Sequence, residues 1–157
     1  MRLWQKIVIS VVAMEILGGA TGFLTAASIP NWYATLNPPT GNPPNWLFGP
    51  VWSLLYAMIG TSFALIWHRA DPGDTKNAAL RTFFLQLLLN LAWTPVFFGL
   101  HQIGVALFII LALLAAIIVT ITHFRRIDHT AALLMLPYSL WVSYASYLNA
   151  GYWVFNR

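Results

Sequence analysis

The chain contains no cysteine and very few charged residues. The lack of cysteine excludes disulfide bonds, thiolate metal ligands and a cysteine nucleophile. Only 8% of the 157 residues are charged, whereas a soluble domain carries roughly a quarter, so this chain cannot cover a water-facing surface. The net charge of +4 is not concentrated in one basic cluster, and we therefore expect no nucleic-acid partner.

Apolar residues dominate instead, at 59% of the chain, with a mean hydropathy of +0.70. Crossing the hydrocarbon layer takes about 20 apolar residues in a helix, because lipid offers no hydrogen-bond partner to the backbone. Five segments meet this requirement, at about 4–27, 46–67, 79–99, 103–124 and 130–155. We predict an all-α membrane protein, a single bundle of five transmembrane helices that takes up residues 1–157.

Basic residues collect on one side of the predicted bundle. Five spans place the N-terminus and the second and fourth loops on the same face, whereas Arg157 alone lies on the other. The positive-inside rule then places the N-terminus in the cytoplasm of a bacterial cell membrane, and in an organelle the two sides would be renamed. The basic residues of the first face are Arg2, Lys6, Arg69, Lys76, Arg81, Arg125 and Arg126.

The first loop, residues 28–45, holds five of the nine prolines and no charge. Proline fixes its own φ and restricts the preceding residue, so this loop should be stiff. Trp32, Tyr33 and Trp46 lie in or beside it, and they fit either an interfacial aromatic belt or a cover over the bundle. The proline density favours a lid. The prolines are Pro30, Pro38, Pro39, Pro43 and Pro44.

Aromatic and polar residues recur at helical spacing in three of the spans. One such stripe usually does no more than pack helices together. Three stripes that include asparagine favour a shared aromatic cavity for a flat, apolar ligand, because an amide in hydrocarbon is usually turned inward. The stripes are Phe48, Trp52 and Tyr56, then Asn90, Trp93 and Phe97, then Tyr138, Trp141, Ala145 and Asn149.

Glu15 is the one acidic residue within a span. It is either a proton or cation site, or a neutral carboxyl group hydrogen-bonded to a neighbouring helix near the membrane edge. Gly18 and Gly22 form a GxxxG pair, which permits close helix approach. Pro95 and Pro137 lie inside spans, where we expect kinks.

Established catalytic and metal-binding motifs are absent from the sequence: there is no catalytic triad, paired carboxylates, metal-ligand motif or phosphate loop. The four histidines fall in loops or at span ends, so we interpret them as interfacial and expect no metal site. They are His68, His101, His123 and His129.

Five short motifs occur in a specific order along nearly the whole chain. They are Trp32-Tyr33-Ala34-Thr35-Leu36, Pro43-Pro44-Asn45-Trp46, Phe48-Gly49-Pro50-Val51-Trp52, Leu89-Asn90-Leu91-Ala92-Trp93 and Pro137-Tyr138-Ser139-Leu140-Trp141. In the order and spacing of these motifs, the chain resembles the tryptophan-rich sensory protein and translocator protein family. It has no extra C-terminal tail, which fits a bacterial member of the family better than an animal one.

The resemblance implies a homodimer and a cavity under the first loop that binds porphyrins, such as protoporphyrin IX and haem, and isoquinoline carboxamides. The porphyrin is then a ligand, and no cofactor is obligatory. The implied lid residue is Tyr33, and the implied cavity residues are Trp52, Tyr56, Asn90, Trp93, Phe97, Trp141, Ala145 and Leu148. Trp32, Trp46 and Tyr138 complete the predicted ligand-binding set.

The resemblance also implies a sterol-recognition stretch at Leu148, Tyr152 and Arg157, and so cholesterol or another sterol as a ligand, although this pattern matches many helix ends by chance. The chain departs from the family in two places. The stretch Pro38-Pro39-Thr40-Gly41-Asn42 lacks a lid tryptophan, and Val105 stands where animal members have tryptophan, which weakens the expectation of drug binding.

Three functions are compatible with these features. The first is a receptor or translocator of tetrapyrroles, acting in sensing or transport. The second is light- and oxygen-dependent breakdown of bound porphyrin, with Trp52 and Trp141 as redox partners; apart from that case we expect no catalytic residue. The third is a proton-coupled small multidrug exporter that uses Glu15. It is the weakest of the three, because that class typically has four spans and this chain has five.

Overall fold

The computed structural model describes residues 1–157 and is helical, with no β-strand. Five helical segments are long and apolar enough to cross a membrane, which confirms the predicted fold class. The six α-helices are α1 (Leu3–Ser28), α2 (Phe48–Arg69), α3 (Asp74–Thr94), α4 (Ile103–Arg125), α5 (His129–Leu134) and α6 (Leu136–Phe155). Short 3₁₀ turns at Tyr33–Thr35 and Asn45–Leu47 lie in or beside the first loop.

The third membrane-crossing segment begins at Asp74, five residues before the predicted start at 79. The added turn is polar, so hydropathy alone did not indicate it. Gly73 precedes the helix with a φ of 148°, and the Asp74 carboxylate lies in the first turn, where the helix dipole favours negative charge.

Both predicted proline interruptions occur in the structure. Pro95 opens a π-helical turn, Pro95–Gly99, in which the Leu100 N–H donates to the Pro95 carbonyl at 2.8 Å. The fifth span is interrupted at Met135, two residues before Pro137, and is therefore built from α5 and α6. The π-helical turn widens the third span locally, whereas Met135 is fully buried in the core.

Glycine lets α1 approach α2 closely, but the predicted GxxxG pair is only half used. A Cβ on Gly60 would lie 2.8 Å from the Val11 Cα, so this position tolerates no side chain. A Cβ on Gly18 would lie 2.2 Å from the ring of Tyr56, whereas a Cβ on Gly22 would meet no heavy atom within 4 Å. The contact between the two helices therefore depends on Gly18 and Gly60.

The half of the bundle that carries the N-terminus is densely packed. Its centre is formed by fully buried aromatic and aliphatic side chains, and the rings of Phe83 and Phe124 stack with centroids 5.9 Å apart. A smaller cluster lies beneath the first loop and consists of Tyr33, Phe97, Phe98, Ala106 and Tyr152. The space between these two clusters is where the candidate site lies.

Asp128 holds the junction between α4 and α5 to the end of α2. Its carboxylate accepts the Ala131 backbone N–H at 2.7 Å and also accepts a hydrogen bond from the Arg69 guanidinium. The Ser62 hydroxyl donates to the Ala131 carbonyl at 2.7 Å. Burial raises the pKa of Asp128, but these donors outweigh burial, and the pKa lies below its ordinary value.

Replacing Asp128 with alanine should lower the free energy of unfolding by about 1–2 kcal/mol, the usual cost of losing a helix N-cap. A carboxyl group whose pKa is lower in the folded state stabilises the fold above its unfolded-state pKa, and this contribution is lost as pH falls through the folded-state pKa. Thermal unfolding in detergent should thus separate wild type from Asp128→Ala at neutral pH, with the two converging as the pH falls through the folded-state pKa of Asp128. Asp71→Ala, on an exposed loop carboxylate, is the control; a variant at 128 as stable as this control at neutral pH contradicts the assignment.

Candidate ligand cavity

An apolar cavity opens between the helices in the half of the bundle beneath the first loop. Trp52 of α2, Trp93 of α3 and Trp141 of α6 line it together. The space between the surrounding atoms amounts to about 710 Å³, a figure that includes the open space at its mouth. The other lining residues are Gly18, Thr21, Thr25, Phe48, Tyr56, Asn90, Thr94, Phe98, Ile110, Leu113, Val142, Ala145 and Leu148.

A chain of buried hydrogen bonds forms the wall behind the cavity. The Tyr56 hydroxyl donates to Asn90 Oδ1 at 2.7 Å, and Asn90 Nδ2 donates to the Tyr138 hydroxyl at 2.8 Å. The Tyr138 hydroxyl in turn donates to Gln86 Oε1 at 2.8 Å, while Gln86 Nε2 has no partner. Because hydrocarbon offers no alternative partners, this chain fixes α2, α3 and α6 relative to one another.

Trp93 is held by its indole nitrogen. Trp93 Nε1 donates to Asn149 Oδ1 at 2.9 Å, and Asn149 Nδ2 donates to the Ile103 carbonyl at 3.0 Å. The indole also stacks on Phe97, with ring centroids 5.2 Å apart. These contacts fix the ring in one position, so its aromatic surface is available to a ligand without a rearrangement.

A second chamber continues from the cavity toward the first loop. The two share Phe48, Trp93 and three further lining residues, so they are adjacent. The Tyr152 hydroxyl donates to the Tyr33 hydroxyl at 2.7 Å, and Tyr33 donates to Asn42 Oδ1 at 3.3 Å. Tyr33 and Tyr152 thus join the loop to the end of α6 above this chamber.

The first loop lies back on α6, as a cover would. The Tyr147 hydroxyl donates to the Thr40 carbonyl at 2.7 Å. Asn37 and Asn156 exchange two hydrogen bonds, at 2.8 Å and 3.0 Å. Gly151 leaves room for the ring of Pro39 in the loop, because a Cβ at position 151 would lie 2.4 Å from the Pro39 Cβ. Specific hydrogen bonds and close packing therefore hold the loop on the bundle.

Nine of the twelve predicted ligand-binding residues line one or both of these adjacent pockets. Those in the main cavity are Trp52, Tyr56, Asn90, Trp93, Trp141, Ala145 and Leu148, and those in the chamber under the loop are Tyr33 and Phe97.

The other three lie elsewhere. Trp32 stacks on His101 with ring centroids 4.1 Å apart, between the first loop and the start of α4. Trp46 is 71% exposed and lies outside the cavity, where an interfacial aromatic residue would be. Tyr138 is fully buried behind Asn90 and positions that amide without facing the ligand space.

Sequence reasoning missed the part of the wall that α1 contributes. Gly18, Thr21 and Thr25 line the cavity, and their spacing of three and four residues places them on one helical face. That face is formed by small and hydroxyl-bearing residues, so a search for aromatic stripes passed over it. Small residues at helical spacing were the signal available in the sequence.

The residues of the sterol motif do not form a continuous surface patch. Leu148 and Tyr152 are only 6% and 3% exposed and belong to the interior of the bundle. The Arg157 guanidinium lies over the ring of Trp153, 5.1 Å from the ring centroid. A ligand would reach Leu148 from inside the cavity.

Glu15 occupies the middle of its helix, about 18 Å from Leu3 along α1. It thus lies away from the helix end, whereas the alternative of a neutral carboxyl group assumed a position near the membrane edge. The Ser53 hydroxyl of α2 donates to Glu15 Oε2 at 3.2 Å. The carboxyl group lies beside Tyr56, on the side of the bundle where α1 meets α2.

The fold and the site together define a class: a multi-pass membrane protein with an aromatic cavity beneath a docked loop. The chain belongs to the TspO/MBR family, whose model matches residues 9–154. It is 42% identical to the tryptophan-rich protein TspO of Archaeoglobus fulgidus over 96% of this chain and 97% of that protein. It is 38% identical to the human translocator protein, over 80% of this chain and 75% of that protein. The tryptophan-rich sensory protein of Cereibacter sphaeroides is 34% identical, over 75% and 72%.

Removing the amide of Asn90 should destabilise the bundle, because the hydroxyl groups of Tyr56 and Tyr138 would each lose their shared partner. We expect Asn90→Leu to lower the free energy of unfolding by about 1–2 kcal/mol, the upper range for hydrogen bonds between membrane helices. Thermal unfolding in detergent measures the change. Thr61→Ala is the matched control, because its hydroxyl bonds only to the Ala57 carbonyl of its own helix; equal melting of the two variants would contradict a linking role for Asn90.

Proposed function

We propose that this protein binds tetrapyrroles, such as protoporphyrin IX and haem, in the cavity beneath the first loop and acts as a receptor or translocator. The observation that carries the proposal is the convergence of Trp52, Trp93 and Trp141, from three helices, on one apolar space. Indole rings attract flat aromatic surfaces by offset or edge-on stacking, in addition to the gain from burying apolar area. A planar macrocycle matches this lining better than a flexible or strongly polar ligand does.

The distribution of charge indicates how such a ligand would lie. No charged side chain lines the main cavity or the chamber under the loop. A propionate buried there would have no basic partner, and burying it unpaired is costly. We therefore expect the macrocycle inside and its propionates toward the outer, loop-covered end, where water is nearest.

Other apolar ligands would use the same space. Leu148 lines both chambers, so we propose that a sterol or an isoquinoline-type molecule would compete with porphyrin there instead of docking on the outer surface. We further propose a bacterial cell membrane with the N-terminus on the cytoplasmic side, on the strength of the basic residues that share that face. A homodimer stays a prediction of the family resemblance.

Porphyrin breakdown under light is a second candidate function. Its support is that Trp52 and Trp141, the proposed redox partners, both line the cavity. Light absorbed by the porphyrin and molecular oxygen would supply the oxidising chemistry, and the protein would hold oxidisable indoles next to the ring. Proton-coupled export is a weaker candidate; its support is the mid-span position of Glu15.

Titration with protoporphyrin IX, followed by quenching of tryptophan fluorescence, tests the binding proposal. Replacing Trp52, Trp93 or Trp141 singly with phenylalanine should weaken binding by about 0.5–1.5 kcal/mol, roughly a two- to tenfold rise in Kd, because part of the stacking surface is lost. Trp46→Phe is the matched control, since that indole lies outside the cavity. Equal affinity in all four variants, or no saturable binding to the wild type, would contradict the proposal.

Illumination in air separates binding from breakdown. If the protein degrades porphyrin, the absorption bands of the bound ligand should bleach, and the bleaching should slow in Trp52→Phe and Trp141→Phe relative to Trp46→Phe. Unchanged spectra under light leave a binding protein and reject the enzymatic function. Bleaching at one rate in all variants rejects the two assigned residues.

A further inference from the structure

A lateral pocket lies beside the main cavity, on the side of the bundle at the seam between α1 and α2. This pocket is lined by Glu15, Gly18, Gly19, Thr25, Phe48, Gly49, Trp52, Ser53 and Tyr56. Five of these residues, Trp52 and Tyr56 among them, also line the main cavity. Only these shared side chains therefore separate the cavity from the surface that faces lipid.

Missing side chains keep this seam open. A Cβ at Gly19 or at Gly49 would meet no heavy atom within 4 Å. The two glycines lie on opposite sides of the pocket, one on α1 and one at the start of α2. Elsewhere the same two helices touch closely, at Gly60. The seam is thus closed at Gly60 and at Gly18, where the Tyr56 ring packs against α1, and it is open beside Gly19 and Gly49.

The alternative entrance, through the first loop, is fastened. The hydroxyl groups of Tyr144 and Tyr147 donate to loop carbonyls, and Asn156 holds the backbone of Asn37. A ligand that entered there would have to break these contacts. At the seam a hydrogen bond from Ser53 to Glu15 joins α2 to α1.

Glu15 and Ser53 give the seam a polar point at mid-membrane depth. The nearest basic residue on the same helix, Lys6, lies over the ring of Trp67 at 4.9 Å and is not a partner of Glu15. The carboxyl group thus has a single donor and retains an oxygen with no hydrogen bond. In hydrocarbon, such a group attracts any passing N–H donor, because no water competes for it.

We propose that the seam between α1 and α2 is the entrance through which a ligand dissolved in the bilayer reaches the cavity, with Glu15 and Ser53 as a polar threshold. The class of ligand that it admits is a planar, apolar molecule, and a metal-free porphyrin such as protoporphyrin IX also has ring N–H groups that can donate at the threshold; haem, whose ring nitrogens bind iron, would pass without that contact. The inference rests on the proposed function for the identity of the ligand. The route itself is inferred from the adjacent pockets and the two open glycine positions.

Blocking the seam should slow entry and exit together. We expect Gly19→Leu in lipid bilayers to reduce the association and dissociation rates of protoporphyrin IX by a common factor of about ten, which is a barrier increase of about 1.4 kcal/mol, with Kd unchanged. Gly22→Leu, one turn along the same helix at an equally open position outside the pocket, should leave both rates unaltered. Unaltered rates in Gly19→Leu, or equal slowing in both variants, would overturn the proposal.

Loosening the loop tests the competing route. The double variant Tyr144→Phe, Tyr147→Phe removes both hydroxyl donors to the loop, and binding rates that remain unchanged support the seam. Faster association and dissociation would show that ligand passes under the loop.

Variants of Glu15 test the polar threshold. Glu15→Gln keeps an acceptor there, so we expect it to bind ligand at the wild-type rate, whereas Glu15→Leu should bind ligand more slowly. Equal rates in the two variants would contradict the threshold role.

A measurement without porphyrin separates failure of the route from failure of the proposed function. Because the chain has no cysteine, a bimane label on Ser53→Cys reports on the seam alone. Brominated acyl chains should quench this label, as they quench one on the lipid-exposed Gly22→Cys, and adding Gly19→Leu should reduce only the quenching at position 53. A label at 53 that is not quenched overturns the entrance. Quenching in a protein that binds no porphyrin overturns the proposed function alone.

Discussion

Hydrocarbon cannot satisfy a hydrogen bond, and the arrangement of this bundle follows from that constraint. Polar side chains within the spans turn inward and pair across helices, which links α2, α3 and α6 through Tyr56, Asn90 and Tyr138. Trp93 and Asn149 add a second link nearer the first loop. The same bonds that hold the helices together therefore also place the aromatic rings around a common space.

Packing differs between the two halves of the bundle, and this difference separates the dense core from the candidate cavity. The half with the N-terminus is filled by stacked rings such as Phe83 and Phe124 and is closed by Asp128 at the α4–α5 junction. The other half keeps open space, and Thr94 and Phe98, which flank the start of the turn at Pro95, line it. Its outer end is closed by the proline-rich loop.

Periodicity predicted much of the candidate site, because residues three or four apart on a helix must share a face. It correctly grouped Trp52 with Tyr56, and Asn90 with Trp93. It did not reveal that Tyr138 supports Asn90 from behind, since residues on one stripe can face either the cavity or the wall. Trp32 could not be placed either: its ring stacks on His101, 69 positions later in the chain, and no local pattern encodes such a contact.

Composition and the spacing of apolar residues by themselves determined a five-helix membrane bundle, because the thickness and polarity of the bilayer leave a chain this apolar almost no other solution. Motif order determined the family. Only the tertiary structure decided how the helices pack: the role of Gly18 and Thr25 in the wall, the mid-membrane seam beside Glu15, and the fastening of the loop to α6. These features depend on how separate helices are rotated and spaced, and contacts between residues far apart in the chain set that geometry.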